Sequence, residues 1–329
     1  MKIDVFNHVM PKKVMEKIAK ESSDREMVKR TSNIPTLWDI EARLRLVEKY
    51  DDLQQVISFG SPPIEVSVGP DRSPELTGMA NDEMAEICQK HKDRFPAFIA
   101  SLPMNNPDAA MIEIDRVVDD LHTAGLQIYT NVAGLPLDDP RFLPIFERAV
   151  QRDLTIFMHP ARGAGFSDYR SEKKSRYELW WAFGWPYETT VAMARMVYSG
   201  LLERLPGLRI VTHHSGGMVP YFEGRISPGL DVIGQRTVDE EYKPLKRPAL
   251  EYFKKFFADT ALFGALPATR CGYEFFGSKQ LLFASDCPFD PEHGARFIRE
   301  TIRVLDSLGL PAQELDDIYE NNARRLLKI

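Results

Sequence analysis

Residues 154–160 read LTIFMHP, an apolar run of strand length that ends on a histidine and a proline. A strand that is hydrophobic at successive positions is buried on both faces, as in a parallel sheet covered by helices. The pattern recurs in both directions. Runs 3–6, 53–58, 97–102 and 125–129 precede it, and runs 208–212, 256–259 and 280–284 follow. The segments between them carry apolar residues at helical spacing. One is 107–124, with Ala110, Ile114, Val117 and Leu121; others are 142–152, 189–205, 292–308 and 311–328. Eight strands alternating with helices predict an α/β fold, a (β/α)8 TIM barrel with small insertions, over a doubly wound sheet.

No shift in composition marks a boundary, so residues 1–329 are expected to form a single domain. Three stretches depart from the alternation. Residues 21–35 are polar and charged, and 61–74 are rich in Pro, Gly and Ser. Residues 161–175 form a cationic segment after the fifth strand, where barrel loops often cover an active site.

The bulk composition excludes several classes of function. A net charge of −6 argues against coating nucleic acid or an anionic membrane. No apolar run approaches the ~18 residues of a membrane span, and the opening MKIDVFNHVMP lacks the long apolar core of a signal peptide. The three cysteines, Cys88, Cys271 and Cys287, show no CxxC spacing and no disulfide framework, so a reducing cytoplasm is expected.

Barrel enzymes carry their chemistry at the C-terminal ends of the strands. Strand one ends near His8, strand five at His159, strand six at His213 and His214, and strand eight at Asp286. Neutral imidazole and carboxylate are ligands for zinc and similar divalent ions. A catalytic site needs about three such ligands and an open position. His8, His159 and Asp286 fit the ligand role, and His214 fits proton transfer. His213 and His214 are adjacent, so on an extended strand they point to opposite faces. One of them is then expected in the site, and the turn Ser215–Gly216–Gly217 favours His214.

These residues lie in motifs that resemble the aminocarboxymuconate semialdehyde decarboxylase branch of the amidohydrolase superfamily. The pieces are KIDVFNHVMP (2–11), ASLPM (100–104), FMHP (157–160), FASDCPF (283–289) and NNARRLL (321–327). The most specific is the long block from Gly184 to Ile226. The resemblance implies one divalent metal, zinc first and otherwise manganese, iron or cobalt. It makes His159 and Asp286 ligands, with Asp286 also in the catalytic set, and His214 the proton-transfer residue. Trp181 takes the place of an active-site tryptophan. Arg225 resembles an arginine that holds a substrate carboxylate in a neighbouring subunit, which implies a homodimer. Arg162 is a second candidate for the carboxylate.

One departure is plain. The family's first strand usually carries H-x-H, and here the letters are Phe6-Asn7-His8. Phe6 and His8 share a strand face, so both should look into the barrel. Phe6 removes a ligand and offers a flat apolar wall instead.

The leading expectation is a carboxy-lyase: a metal-dependent, non-oxidative decarboxylase of a small aromatic or unsaturated carboxylic acid. A hydrolase of a C–C, ester or amide bond, or a hydratase, uses the same groups to activate water. A barrel that has lost catalysis and only binds a ligand is the third reading, supported by Phe6 alone.

Overall fold

The eight apolar runs become eight parallel strands, hydrogen-bonded in chain order in one sheet. They are β1 (Lys2–Val9), β2 (Leu53–Phe59), β3 (Phe98–Ser101), β4 (Gly125–Tyr129), β5 (Thr155–His159), β6 (Arg209–Thr212), β7 (Phe257–Asp259) and β8 (Leu281–Leu282). Val5 N donates to Phe283 O at 3.0 Å and Asp286 N to Phe6 O at 3.0 Å, tying the end of the sheet back to its start. The fold is the expected (β/α)8 barrel. The computed structural model describes residues 1–21, 25–230, 232–233 and 242–329, the side chains of 25–27 excepted. Among these, no helix is long and apolar enough to cross a membrane.

Helices fill the predicted intervals, including Pro107–Asp119, Leu143–Gln151, Gly184–Tyr198 and Ala295–Ser307. The stretch 311–328 divides into Ala312–Asp316, Asp317–Asn321 and Asn322–Leu327. The polar stretch 21–35 holds the helix Arg25–Ser32, its residues 22–24 lying outside the described residues. The stretch 61–74 holds the short helix Ile64–Ser67.

Strand alternation sorts the core into two layers. Ile156, Met158 and Ile210 pack outward against the helices, while Phe157 and Val211 pack with Phe257 and Leu282 inside the barrel. Each fully buried aliphatic or aromatic side chain contributes about 1.5–3 kcal/mol. The same period carries upward: Phe157 points inward, so His159 does too.

β1 needs one further device. Asp4 pairs with Gln55 and Asn7 with Ile57, so Val5 and Phe6 together face a single residue, Val56. This bulge shifts the parity of the strand. Ile3 and Val5 point inward below it, and Phe6 joins them in the barrel interior above it. Asn7 points outward. Its Nδ2 donates to Asp4 O (3.0 Å) and Val56 O (3.1 Å), and its Oδ1 accepts from the fully buried Arg43 at 2.8 Å. Arg43 also donates to Gln55 Oε1 (2.8 Å) and Thr36 O (3.2 Å), so its buried charge is met on three sides. Asn7 thereby fastens the bulge that turns Phe6 and His8 to the inside.

Candidate active site

The C-terminal rim of the barrel is a ring of polar side chains set by the strand register. His8 lies across from Ser58, and Tyr129 across from His159. Phe157 pairs with Val211 and Met158 with Thr212, so His159 and His213 reach the same level on β5 and β6. Asp259 ends β7, and Asp286 follows β8. His8, His159, His213 and Asp259 are at most 1% exposed, and Asp286 is 4% exposed.

The tautomers follow from the partners. Ser58 Oγ donates its hydroxyl hydrogen to Asn7 O (2.9 Å), so it accepts from His8 Nδ1 at 3.2 Å. His159 Nδ1 donates to Pro160 O (2.7 Å) and His214 Nδ1 to Ala261 O (2.8 Å). His213 Nδ1 donates to Asp259. All four rings are thus held by Nδ1 and turn Nε2 away from that anchor, the arrangement that orients imidazoles on a metal.

The ligand atoms converge. One ligand atom each from His8, His159 and His213 lie within 4.8 Å of one another, and the same holds for His213, His214 and Asp286. Asp286 Oδ1 stands 3.3 Å from both His8 Nε2 and His213 Nε2. Among the described residues, buried His8 Nε2 has no hydrogen-bond partner. It faces a carboxylate oxygen, acceptor against acceptor, a contact that calls for a cation between them. The donor set therefore fits a divalent metal.

Electrostatics agree. Burial depresses the pKa of His8 and takes His159 well below the usual imidazole value. His214 falls to about 4 through burial and the neighbouring His213. Burial opposes charge on His213 as well, but Asp259 and Asp286 outweigh it and raise the ring to about 9. Burial also works against ionisation of Asp286, yet the bond from His213 and the charge on that ring hold it below the usual carboxylate range.

The turn after β6 explains why two adjacent histidines share one site. β6 ends at Thr212, and His213 is still extended (φ −73°, ψ 154°). His214 and Ser215 then adopt left-handed backbone, with φ 53° and 54°. That reversal folds the His214 ring back over His213, centroids 3.8 Å apart. Gly217, at φ 64°, closes the turn where a Cβ would lie 2.4 Å from Pro186 O. The expectation that one of the pair enters the site is corrected: both do, because the backbone turns from extended to left-handed between them. Asp286 is also left-handed, with φ 61°. Non-glycine residues in that region store strain, and such strain clusters at functional sites.

Phe6 stands in the site, its ring 3.9 Å from His213 and 5.5 Å from His8. The tryptophan against the imidazoles is Trp185, 5.3 Å from His159 and parallel to His214 at 6.5 Å. Trp181, the expected one, bonds Glu178 (2.7 Å) and lies under Arg30, because the helical stretch breaks at Phe183 between the two indoles. Trp185 leads through Trp180 (5.6 Å) to an open cleft of about 970 Å³. The 161–175 segment lines that cleft with Ala161, Arg162, Phe166 and Ser175. Arg162 bonds Glu188 (2.8 Å), so its charge is already shared. Arg225 is exposed over the Phe222 ring at 5.7 Å and does not line the cleft.

The amidohydrolase family model matches residues 3–329. The chain belongs to the amidohydrolase family. Among its relatives is the 2-amino-3-carboxymuconate-6-semialdehyde decarboxylase of Dictyostelium discoideum, 27% identical over 307 residues, 88% of this chain and 82% of the relative. The gamma-resorcylate decarboxylase of Polaromonas sp. is 30% identical over 276 residues, 80% of this chain and 82% of the relative. The fold matches the 5-carboxyvanillate decarboxylase of Novosphingobium aromaticivorans with a TM-score of 0.86 at 22% identity, covering 100% of this chain and 97% of that one. That protein was crystallised with manganese and 3-methoxy-4-hydroxy-5-nitrobenzoic acid.

Asp259 is missed from sequence, and His213 is set aside there in favour of His214. Both carried a signal: Asp259 closes the seventh apolar run, and His213 lies two residues beyond inward-facing Val211.

One buried group near this rim is outside the cluster. Glu65 is 5% exposed, and its Oε1 has no hydrogen-bond partner among the described residues. Burial pushes its carboxyl up to about 7. The folded state therefore binds this proton more tightly than the unfolded chain. That stability is present in full below the ordinary value of 4.5 and is lost as pH rises through about 7. Glu65→Gln removes the titration. Denaturant melts at pH 5.5 and pH 8 are expected to show the variant gaining about 2 kcal/mol on wild type between the two.

Proposed function

We propose that this chain is a metal-dependent, non-oxidative decarboxylase of a small aromatic carboxylic acid with a hydroxyl beside the carboxylate. The observation that carries the reading is the convergence of buried, Nδ1-anchored imidazoles and Asp286 at the barrel rim, beside a neutral His214. The decarboxylase names of the relatives favour this chemistry over hydrolysis. His8, His159 and Asp286 would hold the metal. Bound there, a divalent ion draws negative charge from substrate oxygens.

The rest belongs to the chain. His214 Nε2 is a lone pair at neutral pH, so it takes the proton of the substrate hydroxyl. It returns that proton to the ring carbon bearing the carboxylate. The carbon–carboxylate bond then breaks, its electron pair enters the ring, and carbon dioxide leaves. Phe6 and Trp185 supply flat apolar walls, and their closeness keeps water from the reacting carbon.

The histidine-rich donor set suits zinc, and manganese in the structural neighbour makes that the second ion to load. Exposed Arg225 is free to reach the carboxylate site of a second copy in a homodimer. Three free cysteines are compatible with the cytoplasm. The test is a panel of ortho-hydroxybenzoates given to the zinc- and manganese-loaded protein in ¹⁸O-water. Carbon dioxide release without solvent oxygen in the aromatic product is expected. Solvent oxygen in the product would point to hydrolysis.

A further inference from the structure

The first strand lacks a ligand at Phe6, while the sixth brings one more imidazole than the mechanism uses. We propose that His213 is a metal ligand that takes the coordination position vacated by Phe6, and that Asp259 is the carboxylate that holds it there. The inference rests on the metal reading above and names a residue that reading does not use.

Three observations carry it. The first is position: β6 continues the level of β5, so His213 stands beside His159 on the inner face. Its ring lies 3.9 Å from Phe6, so it flanks the place where the first-strand imidazole is missing. The second is the atom presented. Asp259 takes Nδ1, and Nε2 is left 3.3 Å from Asp286 Oδ1, within the set that includes His8 and His159. Asp259 is itself fixed, its Oδ1 accepting from Ala261 N (3.0 Å) and Ser215 N (3.3 Å). A carboxylate behind an imidazole fixes its tautomer and raises its basicity as a ligand.

The third is charge. Asp259 and Asp286 are two carboxylates buried within bonding reach of one imidazole. A divalent ion among the imidazoles balances both carboxylates. His214 is the weaker candidate. It is 7% exposed, stands toward Trp185 and Phe263, and has a backbone carbonyl behind Nδ1 in place of a carboxylate.

X-ray absorption on the zinc-loaded wild type tests this without any assay of activity. Three imidazoles on the metal are expected, and three again in His214→Ala. Two in the wild type would overturn the assignment while leaving the metal site standing. A fall to two in His214→Ala would move the ligand to His214 and overturn it equally. Chelator competition gives the second measurement. His213→Ala, with wild-type circular dichroism, is expected to bind zinc at least about 100-fold more weakly. Wild-type affinity in that variant would overturn the proposal. A wild type that binds neither zinc nor manganese would overturn both this inference and the metal reading beneath it.

Discussion

Replacing His159 with alanine is expected to remove the metal and the activity together. Its ring is fully enclosed, its Nδ1 is fixed on Pro160 O, and Tyr129 and Trp185 hold its edges at 5.3 Å. The neighbouring imidazoles of His8, His213 and His214 are each tied through Nδ1, so none of them is placed to take over from Nε2. Zinc affinity should fall by more than the roughly 10–100-fold lost when only a group behind a ligand is removed. Charge stabilisation by the metal is worth several kcal/mol, so kcat/KM should fall at least about 10³-fold. Metal content by elemental analysis and initial rates on one protein preparation check both. A variant that keeps one equivalent of metal and near wild-type rates would remove His159 from the site.

His214→Ala should separate the two losses. The ring gives a proton-accepting Nε2, and its Nδ1 bond to Ala261 O is local to the turn. Metal content should stay near wild type while kcat falls by about 10²–10⁴-fold, the usual worth of a positioned acid–base group. KM should move little, because the loss falls on proton transfer. Loss of metal in this variant would instead make His214 a ligand.

The contrast between these variants follows from features that differ in how openly the sequence displays them. The barrel was legible because strands buried on both faces leave unbroken apolar runs, and LTIFMHP needs only its own letters. His159 and Asp286 were legible because each closes such a run or directly follows it. The bulge in β1 was not, since no local letter reveals that Val5 and Phe6 share one partner. It decides that His8 faces inward together with Ile3 and Val5, against simple alternation. His213 was hidden by a correct rule applied one residue too far. Alternation holds to the end of β6 at Thr212 and through extended His213, and the left-handed turn then overrides it for His214. Trp185 was hidden because Trp181 and Trp185 are four apart and read as one helical face, while the chain breaks at Phe183.

The most direct measurement is a turnover in deuterium oxide with the metal-loaded wild type and an ortho-hydroxybenzoate it accepts. One carbon dioxide released per product, with one deuteron on the carbon that carried the carboxylate, is the expected result, since the exchangeable proton of the substrate hydroxyl or of His214 ends there. A metal-loaded, folded protein that releases no carbon dioxide from any such acid, yet cleaves an ester, amide or carbon–carbon bond with uptake of water, would contradict it.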